Sequence, residues 1–407
     1  MKAKVNGPKQ KLIHIVGGGF NQVALVRQAK AKGLRVLVTD SNENPPARKF
    51  ADLFEQIDTT DRNASLRCAE KNHIDFVTTD MTDVAVPTVA FIAETLGLPG
   101  IGYETALKFT NKYIMRKALA GLTESFCPES YFFTDLKIAI QFLQDSNNNQ
   151  NYLVKPVNSQ GSKGVHILRS GNIQENAALI SNTILESRGQ GILIERFVVG
   201  HEYSVETFVK DKKVYNLTLT KKYHYEHNPC LDKRNTFLGD VDEALESKLF
   251  LANQKIIEAL GLPFGMTHAE YKIENGKVYL MEIAARGAGG SISSHIIPYL
   301  TGFNTLDALL STYAEESYSI QIEDYKTRFA VLKFFEFTPG KIKRYLINQK
   351  ILDSALVVDL NLSVGQSLCL PKDSRDRPGY FVVHGENRSL VLEKEKQVSS
   401  AVKIEYE

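Results

Sequence analysis

Leu280-Met281-Glu282-Ile283-Ala284-Ala285-Arg286-Gly287-Ala288-Gly289-Gly290 places a carboxylate at the end of an apolar strand, an arginine four residues later, and then a glycine-rich turn. Upstream, Thr267-His268-Ala269-Glu270-Tyr271-Lys272-Ile273 offers a second carboxylate on a strand of alternating character. Between the two lies Glu274-Asn275-Gly276-Lys277, an Asn-Gly hairpin signal. A hairpin sets Glu270 beside Glu282, a hard oxygen pair suited to Mg²⁺ and phosphate. For this stretch alone the plain alternative is a surface hairpin with two solvated glutamates.

Working outward, Tyr152-Leu153-Val154-Lys155-Pro156-Val157 reads as a buried strand delivering one lysine. It runs into Asn158-Ser159-Gln160-Gly161-Ser162-Lys163-Gly164, a small, donor-rich loop whose glycines let backbone N–H groups approach phosphate oxygens. This is not a Walker loop, because no Gly-Lys-Ser/Thr opens a helix. Next, Gly191-Ile192-Leu193-Ile194-Glu195-Arg196-Phe197-Val198-Val199-Gly200-His201-Glu202 gives an apolar strand, a short linker and a new strand. That order suits an adenine slot, with Glu202 able to accept from ribose hydroxyls.

Together these motifs resemble the ATP-grasp superfamily of carboxylate–amine ligases. The resemblance makes Lys112, in Asn111-Lys112, and Lys155 the phosphate lysines, and Ser159, Gly161, Ser162 and Gly164 the phosphate loop. It makes Glu195, Phe197 and Val198 the adenine linker, Glu202 the ribose acid, and Glu270 and Glu282 the metal acids. Arg286 matches the arginine that faces the transferred phosphoryl group. One position departs from the pattern: Ala284 stands where the family often has a metal-binding asparagine two residues after its second acid. The implied cofactors are ATP and Mg²⁺, with Mn²⁺ as a substitute. His268 shares a strand face with Glu270 and is either the proton acceptor for the attacking amine or a hydrogen-bonding group.

The implied fold is α/β with three domains: a Rossmann-like parallel sheet (1–110), an ATP-grasp body (111–320) and a β-rich C-terminal lobe (321–407) similar to biotin-carboxylase-like and L-amino-acid-ligase-like members. Leu12-Ile13-His14-Ile15-Val16, Gly17-Gly18-Gly19, a helix from Val23 to Lys32 and the strand Arg35 to Asp40 form a dinucleotide-like unit. Its G-x-G-x-x-G pattern is incomplete, since Gln22 follows Gly17 and Gly19. Gly18, Asn21, Asp40, Asp80 and Asp83 are candidate pocket residues at strand ends, with caps and turns as the alternative for each Asp. Further strands are expected at Phe76–Asp80, Phe329–Phe337 and Gly379–Gly385, helices at Val84–Leu96 and Arg388–Val398, and an edge strand at Val402–Tyr406.

The segment Lys221 to Asn235, aromatic and rich in His and Lys without clear period, reads as a mobile functional loop, with Lys221 helping to neutralise the triphosphate. A metal site from His224 and His227 is poorly supported, because Pro229 interrupts the helix their spacing needs.

Composition sets the remaining bounds. The 407 residues carry 43% hydrophobic and 24% charged side chains and a formal net charge of +2. These are ordinary globular values, without the basic stripe of a nucleic-acid binder. Four scattered cysteines suggest neither a disulfide framework nor a metal site. The polar start and the lack of a membrane-length apolar run point to a cytoplasmic protein away from membranes. Small-molecule carboxylate and amine substrates are the expected partners, and a homodimer is compatible with the resemblance. Two other functions stay open: a formate-using glycinamide ribonucleotide transformylase-like enzyme, for which Lys372, Arg375 and Arg377 would supply a ribose-phosphate cluster, and a non-catalytic ATP-binding regulator.

Overall fold

The computed structural model describes residues 10–124, 126–146 and 150–407. The polar start and the centre of the polar loop at 147–149 lie outside them. Four parallel strands open the chain, in the order Leu53–Gln56, Arg35–Asp40, Leu12–Val16 and Phe76–Thr78. Side-chain alternation explains why both faces are covered. Ile13 and Ile15 pack toward Leu300, Leu309 and Tyr313, while Leu12 and Val16 pack toward Cys68, Val89 and Ile92. The helix after the glycine turn runs Val23–Ala31. The expected helix near Val84 starts as a 3₁₀ turn, Asp83–Ala85, and continues as Val86–Leu96.

An eight-stranded antiparallel sheet positions the site. Its order is Lys277–Ala284, Gly265–Glu274, His201–Lys210, Lys213–Tyr225, Asn228–Phe237, Phe329–Phe334, Gly379–Gly385 and Val357–Leu360. The sheet therefore runs unbroken from the central part of the chain into its C-terminal part. A separate four-stranded antiparallel sheet, Ser130–Phe133, Ile192–Arg196, Tyr152–Pro156 and His166–Leu168, carries Lys155 and the loop beyond it. The helix Arg388–Ser399 and the strand Val402–Tyr406 close the chain. No helix among the described residues is long and apolar enough to cross a membrane.

The large sheet is two-sided in chemistry. On the strands His201–Lys210 and Gly265–Glu274 the odd positions Tyr203, Val205, Ala269 and Tyr271 bury against Leu249, Ile256 and Leu260 of the helix Glu243–Leu260. The even positions Glu202, Glu206, His268, Glu270 and Lys272 turn the other way. At the hairpin, Asn275 and Gly276 both take positive φ (50° and 74°), as a type I′ turn requires, and Glu270 stands directly opposite Glu282.

One expectation is overturned. Lys221 to Asn235 is an ordered antiparallel hairpin, formed by the strands Lys213–Tyr225 and Asn228–Phe237. Register shifts flanking His224 absorb extra residues, and Pro229 sits within that irregularity. The bulges hide the two-residue period, so the segment looks aperiodic when read as sequence.

Candidate functional site

A cleft between the two sheets gathers most of the expected residues. Lys112, Lys155, Ser159, Gly161, Ser162, Glu195, Phe197, Val198, Glu202, His268, Glu270, Glu282 and Arg286 all line it. Gly164 and Lys221 do not. Gly164 has φ +69°, and a Cβ there would meet Glu186 Cβ at 2.9 Å and Pro156 Cγ at 3.0 Å, so it packs the loop base onto the helix Ile173–Glu186. Lys221 lies over Tyr223 on the opposite strand face. Its neighbour Lys222 enters the cleft instead, because strand side chains alternate.

Asn111 caps the helix Lys112–Leu119 by accepting from the amides of Tyr113 and Ile114. The cap fixes Lys112 at the first helical position, where its Nζ lies 2.8 Å from Glu282 and donates to the Ser159 carbonyl at 2.6 Å. Arg116, four residues on and so on the same helix face, donates from Nε to Glu195 at 2.8 Å. Lys155 meets the other Glu195 oxygen at 2.6 Å. Burial alone would raise the Glu195 pKa, but the two cations hold it down at about 2. Glu195 is 1% exposed, so its carboxylate serves as the counter-ion that holds Lys155. Its side chain is spent on those two cations, which leaves the backbone of the Glu195–Val198 linker for any contact with a base.

The acid face is densely paired. Glu202 meets Lys222 at 3.4 Å and His224 at 3.2 Å, and Glu270 pairs with Lys222 and with His268. Burial opposes charge on Glu270, yet Lys222 and His268 hold its pKa well below the usual carboxylate range. His268 Nδ1 lies 2.7 Å from Glu206 and Nε2 lies 3.1 Å from Glu270. Burial acts to lower its pKa, but the two carboxylates push it up to about 9. Both ring nitrogens of His268 thus face carboxylate oxygens, the geometry of its hydrogen-bonding reading.

Arg286 does not pair with Glu282. Its Nε and Nη2 grip the carboxylate of Asp83 at 2.6 and 3.1 Å, while Nη1 donates to the Gly287 carbonyl at 3.1 Å. Asp83 comes from the first sheet unit, so the arginine spans two parts of the chain. Asp80, fully buried and raised to about 6 by that burial, accepts from the Gly287 amide at 2.9 Å. Of the remaining strand-end candidates, Asp40 is a turn former that accepts from Gly18 and Asn42 amides, and Asn21 approaches the turn at Gly289. A Cβ on Gly18 would meet Val38 and Pro45 at 2.9–3.0 Å, so this turn is packed shut rather than open to a pyrophosphate.

No cluster of three or more His, Cys, Asp or Glu among the described residues could hold a metal alone. His224 and His227 diverge, the first to Glu202 and the second to the Pro371 carbonyl. Glu270 and Glu282, opposed in register, are a hard-oxygen pair that fits Mg²⁺ once phosphate oxygens and water complete the shell. Ala284 lines the cleft and adds no ligand.

Sequence reasoning missed Arg116, Lys222, Asp232 and Lys272 as cleft residues, and named His224 and Arg377 only for other roles, a metal site and a ribose-phosphate cluster. Two carried a readable signal: Arg116 by its four-residue spacing from Lys112, and Lys272 by its two-residue spacing from Glu270. Lys222, His224 and Asp232 were masked by the bulged hairpin. Arg377 comes from the far end of the sequence, where it pairs with Asp232 at 3.0 Å and stacks on Phe334.

Comparison with known proteins agrees with this geometry. The family model described as "ATP-grasp domain" matches residues 148–295. A formate-dependent phosphoribosylglycinamide formyltransferase of Methanocaldococcus jannaschii is 22% identical over 283 residues, 67% of this chain and 69% of that protein. Among solved structures, an L-amino acid ligase from Bacillus licheniformis aligns with a TM-score of 0.81 at 20% identity, covering 98% of this chain and 99% of that one. Phosphoribosylglycinamide synthetase from Anaerococcus prevotii aligns at 0.74 and 17% identity, covering 98% and 100%. The matched domain contains the acid pair and the phosphate loop, and the shared fold extends over nearly the whole chain. Residues 148–295 thus match the ATP-grasp domain, and nearly the whole chain shares the fold of these solved structures.

Proposed function

We propose that this ligase activates a carboxylate as an acyl phosphate and joins it to an amine, forming a C–N bond with release of ADP and phosphate, and that its substrates are amino acids or peptide-like. A carboxylate resists attack because its charge repels nucleophiles and oxide is a poor leaving group. Phosphoryl transfer removes both obstacles and is itself mostly positioning and charge stabilisation. Lys112, Lys155 and the Ser159–Gly164 backbone hold the triphosphate, and Glu202 takes the ribose. Glu270 and Glu282 hold Mg²⁺, or Mn²⁺ in its place, which when bound neutralises phosphate charge. Arg286 meets the charge that develops on the transferred phosphoryl and on the later oxyanion.

The observation that carries this reading is the Arg286 fork. Its Nε/Nη2 edge is fixed by Asp83 while the residue lines the nucleotide cleft beside both acids. The transformylase-like alternative is weakened by the basic cluster it needs. Only Arg377 of the three lines the cleft, whereas Arg375 is spent on Asp373 and Glu186. A non-catalytic regulator is disfavoured by the complete set of lysines and acids. The reading carries with it small-molecule acid and amine substrates, a cytoplasmic setting and domain divisions near residues 110 and 320. A phosphate-release screen over amino-acid pairs, formate and short carboxylic acids tests it. Release that depends on a pair of amino acids supports the proposal, and release with formate alone replaces it by the transformylase reading.

A further inference from the structure

The loop after Lys155 is held by polar bonds from three directions. Ser162 Oγ donates to the Cys230 carbonyl at 2.6 Å, on the hairpin. The Ser374 amide donates to the Gly161 carbonyl at 3.1 Å, from the C-terminal part of the chain. The amide of Asp83 donates to Gln160 Oε1 at 2.7 Å, from the first sheet unit. Gln160 had no role in the reading of the sequence, and its contact is the one that leads to the reacting groups.

Asp83 is the first residue of the 3₁₀ turn that starts the helical segment ending at Leu96, and the preceding Thr82 makes no side-chain cap. Its amide is thus one of the orphan donors at a helix start. Gln160 satisfies that donor from another domain. The backbone just before it is costly to hold, since Met81 is buried with φ +58°, a left-handed conformation unfavourable for a side chain of this kind. The carboxylate of the same Asp83 then grips Arg286 by two nitrogens.

We infer that Gln160 is a positioning residue: when the loop closes over nucleotide, it caps the Asp83 turn and thereby sets the Asp83 carboxylate that orients Arg286. With the loop raised the amide reverts to water and the turn is free to shift, so Arg286 is aimed only when the phosphate site is covered. The inference rests on the ligase reading for the role of Arg286, while the contact itself does not.

The test is hydrogen exchange on the full chain with and without Mg²⁺ and a non-hydrolysable ATP analogue, in wild type, Gln160→Met and Gln160→Glu. In wild type, nucleotide slows exchange both in the Ser159–Gly164 loop and at the Asp83 amide, the latter by about tenfold for one hydrogen bond of ordinary worth. Gln160→Met keeps the loop protection and loses that at Asp83. Gln160→Glu keeps an acceptor oxygen, with a charge that suits a helix start, and restores it. In turnover, Gln160→Met lowers kcat by about tenfold while the KM for ATP stays within about twofold. Loop protection without any nucleotide effect at Asp83 overturns the coupling and leaves the ligase reading standing. A Gln160→Met loss confined to the KM for ATP also overturns it, and no protection anywhere overturns both.

Discussion

Replacing Arg286 by lysine keeps the charge and removes the fork, and the structure says what that costs. The guanidinium uses Nε and Nη2 on Asp83 and has its Nη1/Nη2 end left for ligand, with one Nη1 bond to the Gly287 carbonyl. A lysine ammonium is a single point. It can satisfy Asp83 or an incoming phosphoryl oxygen, and it cannot hold the geometry of both. Side-chain burial is high, at 12% exposure for Arg286 and 10% for Asp83, so solvent does not substitute for the lost bond. A hydrogen bond between charged groups is worth about 1.5–3 kcal/mol, which is roughly ten- to a hundredfold in rate if the interaction forms only in the transition state. The loss falls on kcat, because charge moves onto those oxygens as the bond breaks. Steady-state kinetics with ATP and the best acid–amine pair, together with a melting curve, measure this directly. A kcat within twofold of wild type, or a loss explained by a lower Tm, refutes the argument.

Other consequences follow from the same geometry. Lys222→Met leaves Glu202 and Glu270 without their shared cation, costing about 3–5 kcal/mol of stability by denaturant titration, whereas Lys221→Met leaves the midpoint nearly unchanged; equal effects would refute the face assignment. His14 is fully buried, and that burial lowers its pKa from 6.5 to about 4. The unfolded chain therefore takes up a proton that the folded one refuses, and about 3 kcal/mol of stability is lost as pH falls through that window. His14→Leu should flatten that part of the stability–pH curve, and an unchanged slope contradicts it. Gly200→Ala, at φ +147° with its new Cβ 1.9 Å from the Ile273 carbonyl oxygen, should lose about 3 kcal/mol or more and be recovered only by backbone movement at the linker; a wild-type Tm counts against the contact.

Much of the architecture was legible because it rests on local chemistry. The Asn-Gly turn announced the hairpin, alternation announced which faces of its strands are buried, and the turn's register then placed Glu270 opposite Glu282. The strands Arg35–Asp40, Gly379–Gly385 and Val402–Tyr406 were readable for the same reason. What escaped depends on distant pairing. The partner of Arg286 is Asp83, about half the chain away in sequence, and nothing near Arg286 names it. The counter-ion role of the Glu195 side chain was hidden because its two cations, Arg116 and Lys155, arrive on separate elements. Lys222 was passed over for Lys221 because two irregularities in the ladder disguised the strand. His268 was assigned to the right face, but its charge depends on Glu206, whose inward orientation appears only once both strands are paired.

The most direct test of the account is the identity of the products when ATP, Mg²⁺, the acid substrate and hydroxylamine are combined. An acyl phosphate formed beside Arg286, Glu270 and Glu282 predicts ADP, phosphate and a hydroxamate of the acid in equal amounts, all lost in Glu282→Ala. AMP and pyrophosphate would mean an adenylated acid and would contradict the mechanism proposed for this cleft.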